Sequence, residues 1–460
     1  MQRYAVILAA GKGTRMKSEL PKVLHEAAFH PILHYVLTAA ESVSAEKILT
    51  VIGHGAEQVK AVFGGRTEFV LQREQKGTGH AVMEAMPALA EAHGTVLILC
   101  GDTPLLRGET LDAFLQAHEA EKAACSVLTA NIDNPFGYGR IIRGADGALL
   151  KIVEQRDATP EEQAVTEINS GVYCFDLDFL REAVKELKTD NDQGEFYLTD
   201  TVAICNGQGK KALAWIVEDF EEVKGINDRK QLSEAGAILF RRKNEALMAQ
   251  GVTMISPENT FVDPEAEVGC DTVLEPFCTL RGKVKIGKGC TIGPRSELKD
   301  STLGDGVRFW QSIAVEATLG DDCNIGPFAY LRPQTALADQ VKVGDFVEVK
   351  NSSIGQGSKL PHLAYIGDSD VGSGVNIACG TITCNYDGFK KYRSTIGNHV
   401  FVGCNANLVS PVTVEDGAYI AAGSTVTKNV PADSLAVARE KQKNIEGWAR
   451  SFRSRHKDKE

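Results

Sequence analysis

The chain has 460 residues, of which 43% are hydrophobic, so it is long enough for two or three domains, each with its own core. A formal net charge of −11 disfavours electrostatic binding to nucleic acid or anionic membranes, and no apolar run is long enough to span a bilayer. With eleven cysteines and no CxxC pair, we predict a reduced, cytoplasmic protein that acts on small molecules and has no nucleic-acid or membrane partner.

Short apolar runs alternate with amphipathic segments up to about residue 225. They predict strands at 5–8, 47–52, 69–71, 96–99 and 124–129, and helices at 31–41, 56–63, 79–92 and 109–121. This alternation predicts an α/β domain with a mostly parallel, Rossmann-like sheet, whose ligands bind beyond the carboxyl ends of the strands. We assign this domain to residues 1–228, followed by a helical linker at 229–250 that ends at Gly251.

From residue 251 to 460 the pattern changes, because aliphatic residues now recur at every sixth position. Such a hexapeptide period predicts a solenoid in which each unit is a short strand and a turn, and the inward aliphatics stack on one another. The inward positions are Val268, Leu274, Leu280, Ile286, Ile292, Leu298, Leu319, Ile325, Leu331, Leu337, Val343, Val349, Ile396, Val402, Leu408, Val414, Ile420 and Val426. We expect the glycines that follow many of them, among them Gly269, Gly304 and Gly355, to supply the turn conformations.

A glycine-rich segment follows the first predicted strand. It reads Leu-Ala-Ala-Gly-Lys-Gly-Thr-Arg-Met over residues 8–16 and is followed by Pro21 and Lys22. Backbone amides of such a turn can approach phosphates, and the cations Lys12, Arg15 and Lys22 can neutralise them. The string fits neither the dinucleotide fingerprint nor the P-loop. It resembles the signature of nucleoside-diphosphate-sugar pyrophosphorylases, which implies that Arg15 and Lys22 stabilise the departing pyrophosphate.

An acidic residue, Asp102, comes directly after the apolar run 97–99 and is either a turn residue or a Mg²⁺ ligand. The pyrophosphorylase resemblance favours the ligand, because it implies that this aspartate and Asn227 hold the metal together.

Finer matches narrow the resemblance. Gln72, Gly77 and Thr78 are similar to a uracil-reading segment, and Gly139, Glu154 and Asn169 to an N-acetylglucosamine pocket. With the hexapeptide half, essentially the whole chain resembles the bacterial bifunctional N-acetylglucosamine-1-phosphate uridyltransferases and glucosamine-1-phosphate N-acetyltransferases. The resemblance implies a left-handed parallel β-helix in the second half, a homotrimer, and UTP and acetyl-CoA as co-substrates. It assigns binding of the uridyltransferase substrates to Leu8, Ala9, Ala10, Gly11, Lys22, Gln72, Gly77, Thr78, Gly139, Glu154, Asn169 and Asn227.

Acetyl transfer needs a base, because the attacking amine must lose a proton, and a histidine is suited to this. His362 lies between the inward positions Leu360 and Ile366 and should project from the surface. The resemblance implies that it is the proton acceptor. It further implies a sugar-phosphate site of Arg332, Lys350, Tyr365 and Asn376, and a coenzyme site of Cys379, Asn385, Tyr386, Cys404, Ala422 and Arg439. Two thiols depart from the family pattern, which generally has Ala in place of Cys379 and Ser in place of Cys404.

Two alternatives stay open from the sequence. The hexapeptide half could be a non-catalytic assembly or regulatory module attached to a single-site nucleotidyltransferase, or the nucleotidyltransferase could use another nucleotide or sugar. The basic segment 387–393 is either a solvated loop or a grip on an anionic cofactor.

Overall fold

The apolar runs of the first half form the strands of one twisted sheet, as seen in a computed structural model that describes residues 2–456. Contacts divide the chain into two compact units, residues 1–239 and 240–460. The strands of the first unit are β1 (Arg3–Ala9), β2 (Lys47–Ile52), β3 (Glu68–Leu71), β4 (Thr95–Cys100), β5 (Cys125–Asn131), β6 (Arg140–Arg143), β7 (Leu149–Val153), β8 (Glu167–Asp176) and β9 (Ala212–Ile216).

The sheet has the order β9-β5-β8-β4-β1-β2-β3, with the β6–β7 hairpin joined to β8. The pairs β1–β2, β1–β4, β2–β3 and β9–β5 are parallel, whereas β8 runs antiparallel to its neighbours. The carboxyl ends of β1 and β4 therefore lie side by side. The mostly parallel sheet predicted from the sequence is confirmed.

Helices cover both faces of this sheet, because β1 sends Val6 into one core and Ile7 into the other. They are α1 (Ile32–Ser42), α2 (Ala56–Phe63), α3 (Thr78–Ala85), α4 (Gly108–Glu121), α5 (Pro160–Gln163), α6 (Leu177–Glu186) and α7 (Asp200–Gly207). A longer helix, α8 (Arg229–Ala249), follows them and contains the boundary between the two units. Short 3₁₀ turns lie at Thr14–Met16, Lys22–Leu24, Met86–Leu89 and Phe220–Val223, and a small hairpin joins Glu26–Ala27 to His30–Pro31.

The predicted length of one helix is wrong. We expected it to run from Gly79 to Ala92, but α3 ends at Ala85 and passes into the 3₁₀ turn Met86–Leu89. Pro87 lies in that turn, and proline has no amide hydrogen to continue an α-helical ladder.

The second unit is a stack of coils that build three parallel sheets, one per face of a prism. The first face contains Thr253–Met254, Val273–Leu274, Thr291–Ile292, Arg308–Phe309, Asn324–Ile325, Lys342–Asp345, Lys359–His362, Asn376–Ile377, Phe401–Val402, Tyr419–Ile420 and Leu435–Ala436. The second contains Phe261–Val262, Thr279–Arg281, Glu297–Lys299, Ile313–Val315, Tyr330–Leu331, Glu348–Lys350, Tyr365–Gly367, Ile382–Cys384, Asn407–Val409 and Thr425–Val426.

The third face contains Glu267–Val268, Lys285–Ile286, Thr302–Leu303, Ala317–Leu319, Thr335–Leu337, Ser353–Ile354, Ser369–Val371, Ser394–Ile396 and Thr413–Val414. A 3₁₀ turn at Pro257–Asn259 and a helix at Trp448–Ser454 complete the described elements. All the inward aliphatics predicted from the six-residue period are buried in one continuous core. Residues 457–460, the end of the predicted second domain, lie outside the described residues.

The expected role in the turns is wrong for the three glycines named above. Left-handed backbone at the turns is taken by non-glycine residues such as Asp271 and Arg295 and by other glycines such as Gly289, not by Gly269, Gly304 or Gly355. These glycines are needed for close approach, since a Cβ on Gly269 would lie 2.7 Å from the backbone of Gly287 in the next coil. The glycine that follows an inward aliphatic therefore sets how closely consecutive coils stack.

Candidate active sites

The glycine-rich segment after β1 turns sharply to place two cations over the sheet edge. Gly13 adopts a left-handed conformation with φ of 59° before the 3₁₀ turn Thr14–Met16. A Cβ at this position would lie 2.7 Å from Cβ of Lys22, so only glycine allows the lysine to approach. The local sequence thus folds back on itself, and Lys22 reaches the carboxyl end of the sheet.

A cavity of about 300 Å³ opens at this edge, and many of the sequence-predicted residues line it together. They are Leu8, Ala9, Ala10, Gly11, Lys22, Gln72, Gly77, Thr78 and Asp102. The cavity also contains residues that the sequence analysis missed, namely Val23, Gln75, Ala81, Cys100 and Glu195. Burial raises the pKa of Cys100 to about 12, so its thiol stays protonated at neutral pH.

The oxygens of Asp102 and Asn227 converge on one cation. The ammonium of Lys22 forms an ion pair with Oδ2 of Asp102 and lies 3.3 Å from Oδ1 of Asn227. Nη2 of Arg15 donates to the same Asn227 oxygen at 2.7 Å. The backbone keeps the two residues together, because the amide of Ile226 donates to the carbonyl of Asp102 at 2.9 Å. Carboxylate and amide oxygens are hard ligands of the kind that Mg²⁺ prefers, so this donor set fits the predicted metal.

Gln72 lines the cavity but is otherwise buried, and its amide nitrogen has two hydrogen-bond partners. Nε2 lies 3.0 Å from Nδ1 of His80 and donates to the carbonyl of Gly77 at 3.3 Å. A Cβ on Gly77 would lie 2.5 Å from the carbonyl oxygen of Phe196, so glycine is needed where the segment containing Glu195 crosses. The Gln72 amide is therefore fixed in orientation.

The three residues predicted to bind the sugar lie together on the antiparallel side of the sheet. A Cβ on Gly139 would lie 3.4 Å from Cβ of Asn169 and 3.5 Å from Oε1 of Glu154. The amide of Asn169 donates to the carbonyl of Gly139 at 2.9 Å. Burial raises the pKa of Glu154, so its carboxylate gains from a hydrogen-bond donor, such as a sugar hydroxyl or amide.

A larger cavity of about 510 Å³ in the same unit contains none of the predicted site residues. It lies between Leu105, Tyr138, Phe220, Ile226 and Ala235, and its lining includes Gly225, two residues before Asn227.

On the prism, His362 ends a strand of the first face and its side chain is 58% exposed, as expected from its position in the repeat. Nδ1 of His362 lies 2.6 Å from Oδ1 of Asp345, the residue at the same position one coil earlier. This hydrogen bond lowers the pKa of the Asp345 carboxyl. Asp345 was not predicted from the sequence, although the repeat places it one coil before the histidine.

Tyr365 and Asn385 meet on the second face. Nδ2 of Asn385 donates to the Tyr365 hydroxyl at 3.3 Å and also to the buried carboxylate of Asp368. Asn351 donates to the other oxygen of Asp368. A Cβ on Gly367 would lie 2.4 Å from the Tyr365 hydroxyl, so glycine leaves room for the ring. Asp368, missed from the sequence, anchors this cluster.

Cations flank the same cluster. Nη1 of Arg332 lies 2.6 Å from Oε1 of Glu348. The side chain of Lys391 lies beside Lys350 and lowers the pKa of that ammonium, by hydrogen bonding and by charge repulsion. Two lysines held together favour an anion between them. Lys391 belongs to the basic segment 387–393, whose role the sequence left open.

Most of the remaining predicted residues lie along the edge between the first and second faces. Cys379, Cys404 and Ala422 occupy equivalent positions on consecutive coils, since the amide of Asn405 donates to the Cys379 carbonyl and that of Gly423 to the Cys404 carbonyl. A Cβ on Gly423 would be 3.7 Å from Cδ of Arg439. Asn376 lies on the first face, level with Lys359 and Phe401, and Tyr386 is exposed in the loop after the second face.

Family models match three parts of the chain. A MobA-like NTP transferase domain matches residues 5–164, a GMPPB C-terminal domain 256–354, and six repeats of the bacterial transferase hexapeptide 393–428. The second unit is thus a left-handed parallel β-helix of hexapeptide repeats, which confirms the predicted fold class. Among the helices of the described residues, none is long and apolar enough to cross a membrane.

Full-length relatives are also similar. The bifunctional protein GlmU of Halalkalibacterium halodurans is 48% identical over 97% of this chain and 98% of its own. The GlmU protein of Geobacillus sp. is 49% identical over 97% of this chain and 98% of its own. The GlmU protein of Listeria monocytogenes is 47% identical over 98% of both chains.

Proposed function

The chain belongs to the family of bifunctional GlmU proteins and joins a uridyltransferase to an N-acetyltransferase, and we propose how its own residues divide the two reactions. The second unit transfers acetyl from acetyl-CoA to glucosamine 1-phosphate. The first unit joins the resulting N-acetylglucosamine 1-phosphate to UTP, giving UDP-N-acetylglucosamine and diphosphate. The observation that carries the proposal is that each unit has its own set of polar and charged side chains in contact, Lys22 with Asp102 and Asn227 in the first unit and Asp345 with His362 in the second.

In uridyl transfer the sugar-phosphate oxygen attacks the α-phosphorus of UTP directly. No general base is needed, because a phosphate monoester is already ionised at neutral pH. Leu8 to Gly11 offer backbone to the nucleotide, Gln72, Gly77 and Thr78 read the uracil, and Gly139, Glu154 and Asn169 hold the sugar. Arg15 and Lys22 neutralise charge on the departing diphosphate.

Asp102 and Asn227 would hold Mg²⁺, which when bound neutralises the phosphates and orients them. Both oxygens contact the Lys22 ammonium. A bound Mg²⁺ would compete with the Lys22 ammonium for these oxygens, and the ammonium would then be available to the diphosphate.

In acetyl transfer Asp345 accepts a hydrogen bond from Nδ1–H of His362, which leaves the lone pair of Nε2 free to take a proton from the attacking amine. Arg332 and Lys350 bind the sugar phosphate, helped by Lys391, while Tyr365 and Asn376 bind the sugar. The coenzyme lies along the edge of the prism, against Cys379, Asn385, Tyr386, Cys404, Ala422 and Arg439.

We propose that the protein is a homotrimer in the cytoplasm, where UTP and acetyl-CoA are available. Three exposed apolar side chains, Phe328, Phe346 and Leu363, support association of prisms from different chains. The rings of Phe328 and Phe346 stack with their centroids 5.5 Å apart.

A two-channel assay tests the assignment. Wild type and His362→Ala are supplied with Mg²⁺, glucosamine 1-phosphate, acetyl-CoA and UTP, and free thiol and diphosphate are followed separately. We expect the variant to lose thiol release and to recover diphosphate release when N-acetylglucosamine 1-phosphate is added. A wild type that releases no thiol would favour the alternative of a non-catalytic prism on a single-site nucleotidyltransferase.

A further inference from the structure

Cys379 and Cys404 occupy the same position on consecutive coils of the prism. Asn376 pairs with Phe401, and Ile377 with Val402, so the two cysteines are level with one another two residues later. The amide of Asn405 donates to the Cys379 carbonyl at 2.8 Å, which fixes this register beyond the strands. The stacking therefore follows from the backbone and does not depend on side-chain rotamers.

The spacing of the coils suits a bond between the two sulfurs. Adjacent strands lie about 4.8 Å apart, and a disulfide joins residues whose Cα atoms are about 4.4–6.8 Å apart. Both thiols are free, Cys404 is exposed, and Cys379 is half-buried. A reagent can thus reach the sulfur of Cys404, and Cys379 occupies the same position one coil earlier.

Other accessible cysteines of the prism lack such a partner at the neighbouring coil. Exposed Cys270 is level with Lys288, because the amide of Gly289 donates to its carbonyl at 3.1 Å. Half-buried Cys384 is level with Val409. These two residues provide matched single thiols on the same scaffold.

The pair also lies next to the proposed proton acceptor. Lys359 pairs with Asn376, and His362 and Cys379 each lie three residues beyond that pair on consecutive coils. The edge therefore presents His362, Cys379 and Cys404 in succession. A covalent change at the two thiols alters the surface along which the coenzyme would reach His362.

We propose that Cys379 and Cys404 form a reversible dithiol–disulfide pair, an oxidisable modification site whose closed form blocks acetyl transfer. The blocking effect rests on the acetyltransferase function proposed above, whereas formation of the bond does not.

The reaction balances with a low-molecular-weight disulfide as oxidant. The thiolate of Cys404 attacks one sulfur of the oxidant, which forms a mixed disulfide and releases one small thiol. The thiolate of Cys379 then attacks the Cys404 sulfur, which forms the Cys379–Cys404 bond and releases the second small thiol. Two protein thiols lose two electrons, and one small disulfide is reduced to two thiols.

The test treats the full-length protein with oxidised glutathione, followed by peptide mapping by mass spectrometry and by both activity assays. We expect a Cys379–Cys404 cross-linked peptide, a loss of acetyl transfer of at least about tenfold, recovery with dithiothreitol, and uridyl transfer within about twofold of the untreated protein. In Cys379→Ala and Cys404→Ser the cross-link must be absent, while Cys270→Ser retains it.

Glutathione left on Cys404 without a cross-link overturns the proposal, and so does a cross-linked protein that keeps its acetyl transfer. If the reduced protein shows no acetyl transfer at all, the proposed function fails, while peptide mapping still decides whether the bond forms.

Discussion

Asp345 holds Nδ1 of His362 at 2.6 Å from one coil below, so the tautomer of the imidazole is set by a neighbour on the same edge of the prism. We expect Asp345→Asn to lower kcat for acetyl transfer about 100-fold, because an amide can donate to Nδ1 and stabilise the tautomer whose Nε2 carries the proton. The rate of thiol release measures kcat, and Asp345→Ala should lower kcat less than Asp345→Asn does. An Asn variant with normal kcat would contradict the assignment, provided that uridyl transfer is intact in each.

Asp102→Asn should raise the Mg²⁺ concentration needed for half-maximal uridyl transfer by at least about tenfold, because it removes the only formal negative charge of the proposed ligand pair. Diphosphate release over a Mg²⁺ titration gives the value. The surface carboxylate Asp112, which pairs with Arg3 at 2.9 Å, supplies the control variant Asp112→Asn. An unchanged Mg²⁺ requirement in Asp102→Asn would move the metal to other residues.

Gly13→Ala should reduce uridyl transfer at least about tenfold, because its Cβ would meet Lys22 and its φ of 59° is unfavourable for alanine. Gly65→Ala is the matched control, since a Cβ there has no neighbour within 4 Å. Acetyl transfer should be the same in both variants. Equal rates of uridyl transfer in Gly13→Ala and Gly65→Ala would show that this reaction does not depend on the position of Lys22.

Lys391→Ala should raise KM for glucosamine 1-phosphate about tenfold and leave KM for acetyl-CoA nearly unchanged, because Lys391 lies beside Lys350 and adds charge for the phosphate. Lys390→Ala is the control, as its ammonium lies 4.8 Å from the centre of the Tyr392 ring. If KM for acetyl-CoA rises instead, the basic segment 387–393 binds the coenzyme and not the sugar phosphate.

Acid should destabilise the first unit through His118. Burial lowers the pKa of this residue to about 4, and Nδ1 lies 2.7 Å from Oγ of Ser126. The unfolded chain takes up a proton near pH 6.5 and the folded chain does not. Stability is therefore complete above pH 6.5 and falls as the pH drops towards 4, by up to about 3 kcal/mol.

Urea unfolding followed by loss of uridyl transfer, at several pH values between 7.5 and 5, measures this dependence. His118→Asn should flatten it, whereas His54→Asn, at an exposed histidine, should not. A wild type whose stability is constant over this range would contradict the argument.

The sequence predicted those features that depend on local periodicity. The six-residue step located every inward aliphatic named from it, and the string from Leu8 to Lys22 located one cavity. Features set by contacts between distant segments were missed, including Glu195 in the lining of the cavity of about 300 Å³ and Asp345 beside His362. The antiparallel strand β8 was also missed, since its insertion between β4 and β5 depends on pairing rather than on its own pattern. The glycines show the limit most clearly, because a repeat reveals that a small residue is required but not whether φ or a neighbouring coil requires it.

The strand that ends at His362 is the seventh of eleven on its face, with six strands before it and four after. Each coil of a solenoid is supported only by its neighbours, so fraying starts at the two ends and moves inward. Amide hydrogens around Asp345 and His362 should therefore exchange with solvent among the slowest in the second unit. A histidine exposed to solvent is thus carried by backbone that opens last, which keeps its orientation fixed through the fluctuations of the terminal coils.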